Sequence, residues 1–98
     1  MLVRHADAKL ERVEFELSFR GGFGPDVVKA FRRRMQFIRG AVDERDFYSL
    51  KSLHYEKLKG KRAHQRSMRL NDQFRLILEI ETDPTGRLVV IVGIEDYH

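Results

Sequence analysis

Two groups of residues in the second half of this chain have the makings of a site that acts on an anion. Between Lys57 and Arg75 stand seven cations, Lys57, Lys59, Lys61, Arg62, Arg66, Arg69 and Arg75, against one acid, Asp72. That is a net +6 in a chain whose whole formal charge is +4, so everything outside the segment sums to −2 and the positive charge is a local feature. A concentrated patch of this sign suits a surface that meets phosphates or an acidic protein. The second group is the end of the apolar run that follows, Asp96, Tyr97 and His98. An imidazole exchanges protons near neutral pH. A guanidinium such as that of Arg75 holds a phosphate through two parallel hydrogen bonds, and an ammonium such as that of Lys59 supplies a compact fixed charge.

Composition limits what the rest can be. Ninety-eight residues are enough for one core and one domain, residues 1–98. The content is 42% hydrophobic and 35% charged, as in a water-soluble globular protein. No stretch nears the roughly 18 apolar residues a membrane span needs, and MLVRHADAKL lacks the apolar region of a secretion signal, so the expected place is the cytoplasm and no membrane. The absence of cysteine excludes disulfides, thiolate nucleophiles and thiolate-bound zinc. The four histidines lack paired ligand spacing, so no metal and no cofactor are expected, and His5 and His64 are read as surface residues.

The elements that must position these groups follow from periodicity. Met1 to His5 reads as a first strand. Asp7 can cap a helix in which Leu10, Val13 and Leu17 share one face, stopped by Gly21, Gly22 and Gly24. Pro25 and Asp26 open a second helix, whose stripe is Val27, Phe31, Met35, Ile38 and Val42. Its other face carries Lys29, Arg32, Arg33, Gln36 and Arg39, either a solvated surface or a dock for an acidic partner. Asp43 and Asp46 suggest a cap for a short helical turn through Tyr48 to Leu50.

Beyond it the period changes to two. Met68, Leu70, Phe74, Leu76, Leu78 and Ile80 fall on even positions, and Arg69, Arg75, Glu79 and Glu81 on odd ones. Asn71-Asp72 marks a turn and Asp83-Pro84-Thr85-Gly86 suits a type I turn. Leu88 to Ile94, apolar at nearly every position, reads as a strand covered on both faces. The expected architecture is α+β: two N-terminal helices on one face of a mainly antiparallel sheet, drawn as a three-strand meander. Alternation puts Arg69 and Arg75 on the face away from the core.

Taken together and in order, EKLKGKR, SMRLNDQFRL and the terminal EDYH resemble the HigB-like branch of the RelE/ParE toxins of bacterial toxin–antitoxin modules, over nearly the whole chain. The chain departs from many of these relatives in carrying Phe74 where they have Trp, a change expected to affect packing more than chemistry. The resemblance implies a ribosome-dependent endoribonuclease that cuts mRNA during translation, with contacts to ribosomal RNA. It also implies that a cognate antitoxin with a helix-turn-helix domain holds it inactive. A different class within the same fold stays open, a non-enzymatic toxin that poisons a protein target as the ParE branch does with DNA gyrase.

Metal-free RNA cleavage uses the ribose 2′-OH as nucleophile on the adjacent phosphate, and needs a base, an acid and cations for the added negative charge. His98 is the natural proton carrier, and the terminal carboxylate it bears favours its imidazolium form. Arg75 and Lys59 supply fixed charge, Tyr97 can stack on a base or donate a hydrogen bond, and Asp96 is cast as an orienter or as a partner to a cation. Lys57, Lys59, Lys61, Arg62, Arg66 and Arg69 are expected along the RNA. His54 is a candidate second acid or base, and so is Glu56, which stands close to the place where relatives have a histidine. In a regular strand Asp96 and His98 share one face and Tyr97 takes the other, so all three converge only if pairing ends or bulges near Glu95.

Overall fold

The computed structural model describes residues 1–83 and 86–96. Strand β1 (Leu2–His5) is followed by helices α1 (Ala8–Phe15), α2 (Pro25–Gly40) and α3 (Arg45–Ser49). Then come a 3-10 turn (Lys51–Leu53), β2 (Glu56–Lys57), a second 3-10 turn (Gly60–Arg62), β3 (Arg66–Arg69), β4 (Phe74–Asp83) and β5 (Gly86–Asp96). The sheet has five strands in the order β1-β5-β4-β3-β2, where the sequence suggested three. Every pairing is antiparallel except that of β1, which lies parallel against β5 with Leu2 opposite Leu88 and His5 opposite Ile91. A parallel partner 86 positions away leaves no local pattern to read. Pro84 and Thr85 of the expected turn lie outside the described residues.

Asp7 caps α1 as its type suggests, its carboxylate accepting from the Lys9 N–H at 2.8 Å. The helix ends at Phe15, two residues before Leu17, which is 85% exposed and not part of the core. The cause is distant in sequence. The guanidinium of Arg32 donates to the carbonyls of Val13, Glu16, Leu17 and Phe19 at 2.8–3.3 Å, satisfying acceptors that another helical turn would have used. Arg32, read as part of a solvated face or of a dock for an acidic partner, is thus a structural clamp.

On α2 the stripe holds for Val27, Phe31, Met35 and Ile38, all buried, and fails at Val42, which is 83% exposed. The helix stops at Gly40, Ala41 is extended, and it is Ala41 that enters the core. The short third helix starts earlier than expected. Asp43 accepts from the Arg45 N–H at 2.9 Å and from its guanidinium, and Arg45 draws the Asp43 carboxyl down to about 2. Between the helices and the sheet lies one core, in which Phe31, Met35, Ile38, Phe47 and Leu53 meet Met68, Leu76, Leu78, Val89 and Ile91.

The His5 side chain is only 3% exposed, not superficial. Its Nε2 lies 2.7 Å from Glu14 Oε1, and the Arg39 guanidinium reaches both Glu14 oxygens at 2.7 and 3.0 Å. Burial pushes the Glu14 carboxyl up, but the hydrogen bonds from Arg39 and His5 outweigh it and hold the group below its ordinary value. A carboxyl lowered on folding contributes stability that is whole above its unfolded pKa, about 4.5, and is lost as pH falls through the lowered value. Glu14→Gln is therefore expected to cost about 2 kcal/mol at pH 7, the scale of a hydrogen bond to a charged group. The gap between wild-type and variant urea midpoints should close below pH 4.5; equal midpoints at pH 7 would show that the cluster stabilises nothing.

Candidate active site

The face of the sheet turned away from the helices holds the pocket. Register fixes its composition, because residues paired across an antiparallel ladder share a face. One row across the strands is Arg69, Arg75 and Glu95, and the next is Glu56, Ser67, Ile77 and Gly93. A pocket of about 260 Å³ is lined there by Glu56, Ser67, Arg69 and Arg75 from the strands, Asn71 and Asp72 from the β3–β4 turn, and His54.

Arg69 and Arg75 stand directly opposite one another, a like-charge pairing that ordinarily destabilises a sheet. Their surroundings draw the guanidiniums apart. Arg69 turns to the Asn71 carbonyl at 3.3 Å and to the Asp72 carboxylate. Arg75, its side chain 18% exposed, reaches Ser67 Oγ at 3.3 Å and lies 3.9 Å from Glu56 Oε1. Arg34 on α2 adds a third cation to this end of the sheet, donating to the Arg69 carbonyl at 2.8 Å. Burial, and then the charge of Arg69, lower its pKa. Asn71 shapes the turn beneath, its Oδ1 accepting the N–H groups of Gln73 and Phe74.

His54 comes to the pocket by an unusual route. It is the one non-glycine described residue with positive φ, at 47°, a left-handed conformation that costs most side chains energy. Its neighbours Leu53 and Tyr55 are both buried, so the chain between them must turn sharply, and the imidazole is left at the surface beside Glu56. The Tyr55 hydroxyl donates to Glu44 at 2.7 Å, and burial, reinforced by that carboxylate, pushes its pKa far up; it takes no part in proton exchange.

The remaining cations do not form a single patch. Arg66 pairs with core residue Leu78 and so faces the helices, where it lies 3.5 Å from Glu44 and donates to the Ala63 carbonyl. Lys57, paired with Arg66, is on that side too, at the exposed edge. Arg62 is spent on a two-bond contact to Glu95 at 2.5 and 3.0 Å, which with the contact from Gln65 to Glu79 carries the β2–β3 connection across the pocket face. Lys59 and Lys61 are exposed on that connection.

A bulge in β5 decides which face Glu95 and Asp96 take. Ile77 pairs with Gly93 but Leu78 pairs with Ile91, so Val92 is the extra residue. The expected irregularity near Glu95 is displaced by three residues, and pairing runs on to Asp96 opposite Phe74. Glu95 consequently joins the face of Arg75, while Asp96 falls on the helix side, its carboxylate accepting from Gln73 Nε2 at 3.0 Å. Tyr97 and His98 lie outside the described residues. Ser67 and Asn71 are pocket residues that sequence reasoning missed; Ser67 was within reach, since it shares odd parity with Arg69 and Arg75.

The fold, helices packed on one face of a five-stranded sheet, is shared with solved structures. The YoeB/ParE toxin from Agrobacterium tumefaciens superposes with a TM-score of 0.62 at 13% identity, covering 100% of both chains. A conserved hypothetical protein from Helicobacter pylori superposes with a TM-score of 0.55 at 13% identity, over 99% of this chain and 94% of that one. These likenesses are of fold. No curated protein matches the sequence. Residues 4–92 match the family described as the RelE-like toxin of type II toxin–antitoxin system HigB, and the chain belongs to that family.

Proposed function

We propose that this toxin is a ribosome-dependent endoribonuclease that cuts mRNA, and that a cognate helix-turn-helix antitoxin restrains it. One observation carries the reading: His54 and Glu56, two proton-transfer groups, open onto the same pocket as the guanidiniums of Arg69 and Arg75. In the proposed reaction the 2′-OH oxygen bonds to the adjacent phosphorus and the bond to the 5′-oxygen breaks, giving a 2′,3′-cyclic phosphate and a free 5′-hydroxyl. One group takes the proton from the 2′-OH and another returns a proton to the leaving oxygen. Arg75 holds the phosphate and stabilises its extra charge in transit. The assigned proton carrier is His98, with Tyr97 as the base-stacking partner and Asp96 as an orienter of the chain end. His54 and Glu56 are the additional acid/base pair, and Arg69 with the exposed Lys59 and Lys61 meets flanking phosphates.

The chemistry asks for no metal, since the 2′-OH is the nucleophile and fixed cations take the added charge. Mapping 5′ ends in a translating extract is expected to show new mRNA ends that need both the toxin and translating ribosomes, and that persist when the purified ribosome complex is assayed with a chelator of zinc and transition metals. If no new ends form while DNA breaks linked to gyrase accumulate, the protein-poisoning reading replaces this one.

A further inference from the structure

The outer face of α2, on the other side of the molecule from the pocket, has features that RNA cleavage does not use. A groove of about 300 Å³ along its first half is lined by Arg20, Lys29, Arg32 and Arg33 with no carboxylate among them. Arg32 is committed to the carbonyls after α1, but Arg20, Lys29 and Arg33 meet no carboxylate among the described residues. Leu17 lies in the same groove, its side chain held out by the early end of α1. At Gln36 this groove meets a second one, lined by Phe37, Ala41 and Leu50, the last 42% exposed, and by Asp46, whose carboxylate is occupied by the Val42 N–H at 2.8 Å. The two together run from Lys29 to Gly40, about 16 Å of helix.

We propose that this face is a docking surface for an acidic, amphipathic segment of a partner protein, which lays carboxylates against Arg20, Lys29 and Arg33 and apolar side chains against Leu17 and Leu50. Charge complementarity selects an acidic ligand, and the apolar residues select a polypeptide over a nucleic acid. A phosphate backbone gains nothing from Leu17, and the basic groove has no aromatic ring on which a base could stack. The inference does not rest on the nuclease reading and survives its failure.

Two synthetic helical peptides of the length of α2 test it, one with leucine on one face and glutamate elsewhere, the other with lysine replacing every glutamate. In an NMR titration the acidic peptide is expected to shift the amides around Leu17, Lys29, Arg33 and Leu50 and leave those around Arg75 unmoved. The double variant Lys29→Glu, Arg33→Glu should weaken it at least tenfold, Leu17→Asp should weaken it several-fold, and Lys61→Glu on the opposite face should have no effect. A basic peptide that binds as well as the acidic one overturns the proposal. So does an acidic peptide that maps to the pocket, or a single-stranded RNA oligonucleotide that perturbs Lys29 and Arg33 more than the acidic peptide does.

Discussion

Replacing Arg75 with alanine is expected to lower the rate of ribosome-dependent RNA cleavage by about 10²–10³-fold, the scale of losing one fixed donor to a developing anion. The position explains the size. Arg75 sits mid-row on the pocket face, largely shielded from water, its guanidinium located by Ser67 and Glu56 before any RNA arrives. A donor already in place costs no reorganisation when the phosphate becomes more negative. Arg75→Lys keeps the charge and loses the two-pronged geometry, so it should recover only part of the rate. Because Arg75→Ala also relieves the crowding with Arg69, its thermal midpoint should fall little. A variant that is folded and cuts at the wild-type rate would remove Arg75 from the mechanism.

His98→Ala is expected to cost about 10²–10⁴-fold, the range for a positioned general acid or base. His54→Ala should cost less, about tenfold, if His54 assists a proton transfer that His98 carries. Groups acting as one unit are not additive, so the double variant should resemble His98→Ala alone. The pH–rate profiles separate the roles further: losing the principal proton carrier should flatten the limb of the profile that reports it, and losing an assistant should only lower it. Should His54→Ala abolish cleavage while His98→Ala is silent, the proton carrier is the left-handed histidine of the pocket and the terminal assignment is wrong.

Much of the scaffold could be read from the chain because its signals are local. Alternation from Met68 to Ile80 correctly set Met68, Leu76 and Leu78 inward and Arg69 and Arg75 outward, since every second residue of a strand shares a face. The same rule already separated Arg66 from Arg69, an even position from an odd one, but a cluster read by charge alone merged them. What local pattern could not supply came from distant parts of the chain. Arg32 ends α1 from 13–19 residues away, Glu14 and Arg39 surround His5, and β1 finds its partner in β5. His54 was visible as a residue type, but its place in the pocket depends on the burial of Leu53 and Tyr55 on either side of it.

Val92 acts as a half-step dislocation in an otherwise periodic ladder. With it, Ile94 stays under the helices and Glu95 is delivered to the arginine face, where it anchors Arg62 and so holds the strap carrying Lys59 and Lys61 over the sheet. Without it, Ile94 to Asp96 would be mirrored through the sheet plane, with Glu95 under the helices and an aliphatic side chain on the arginine face. A single unpaired residue thus sets which of two adjacent carboxylates tunes the cationic field, and a chain of the same plan lacking it would have to carry that acid one position sooner.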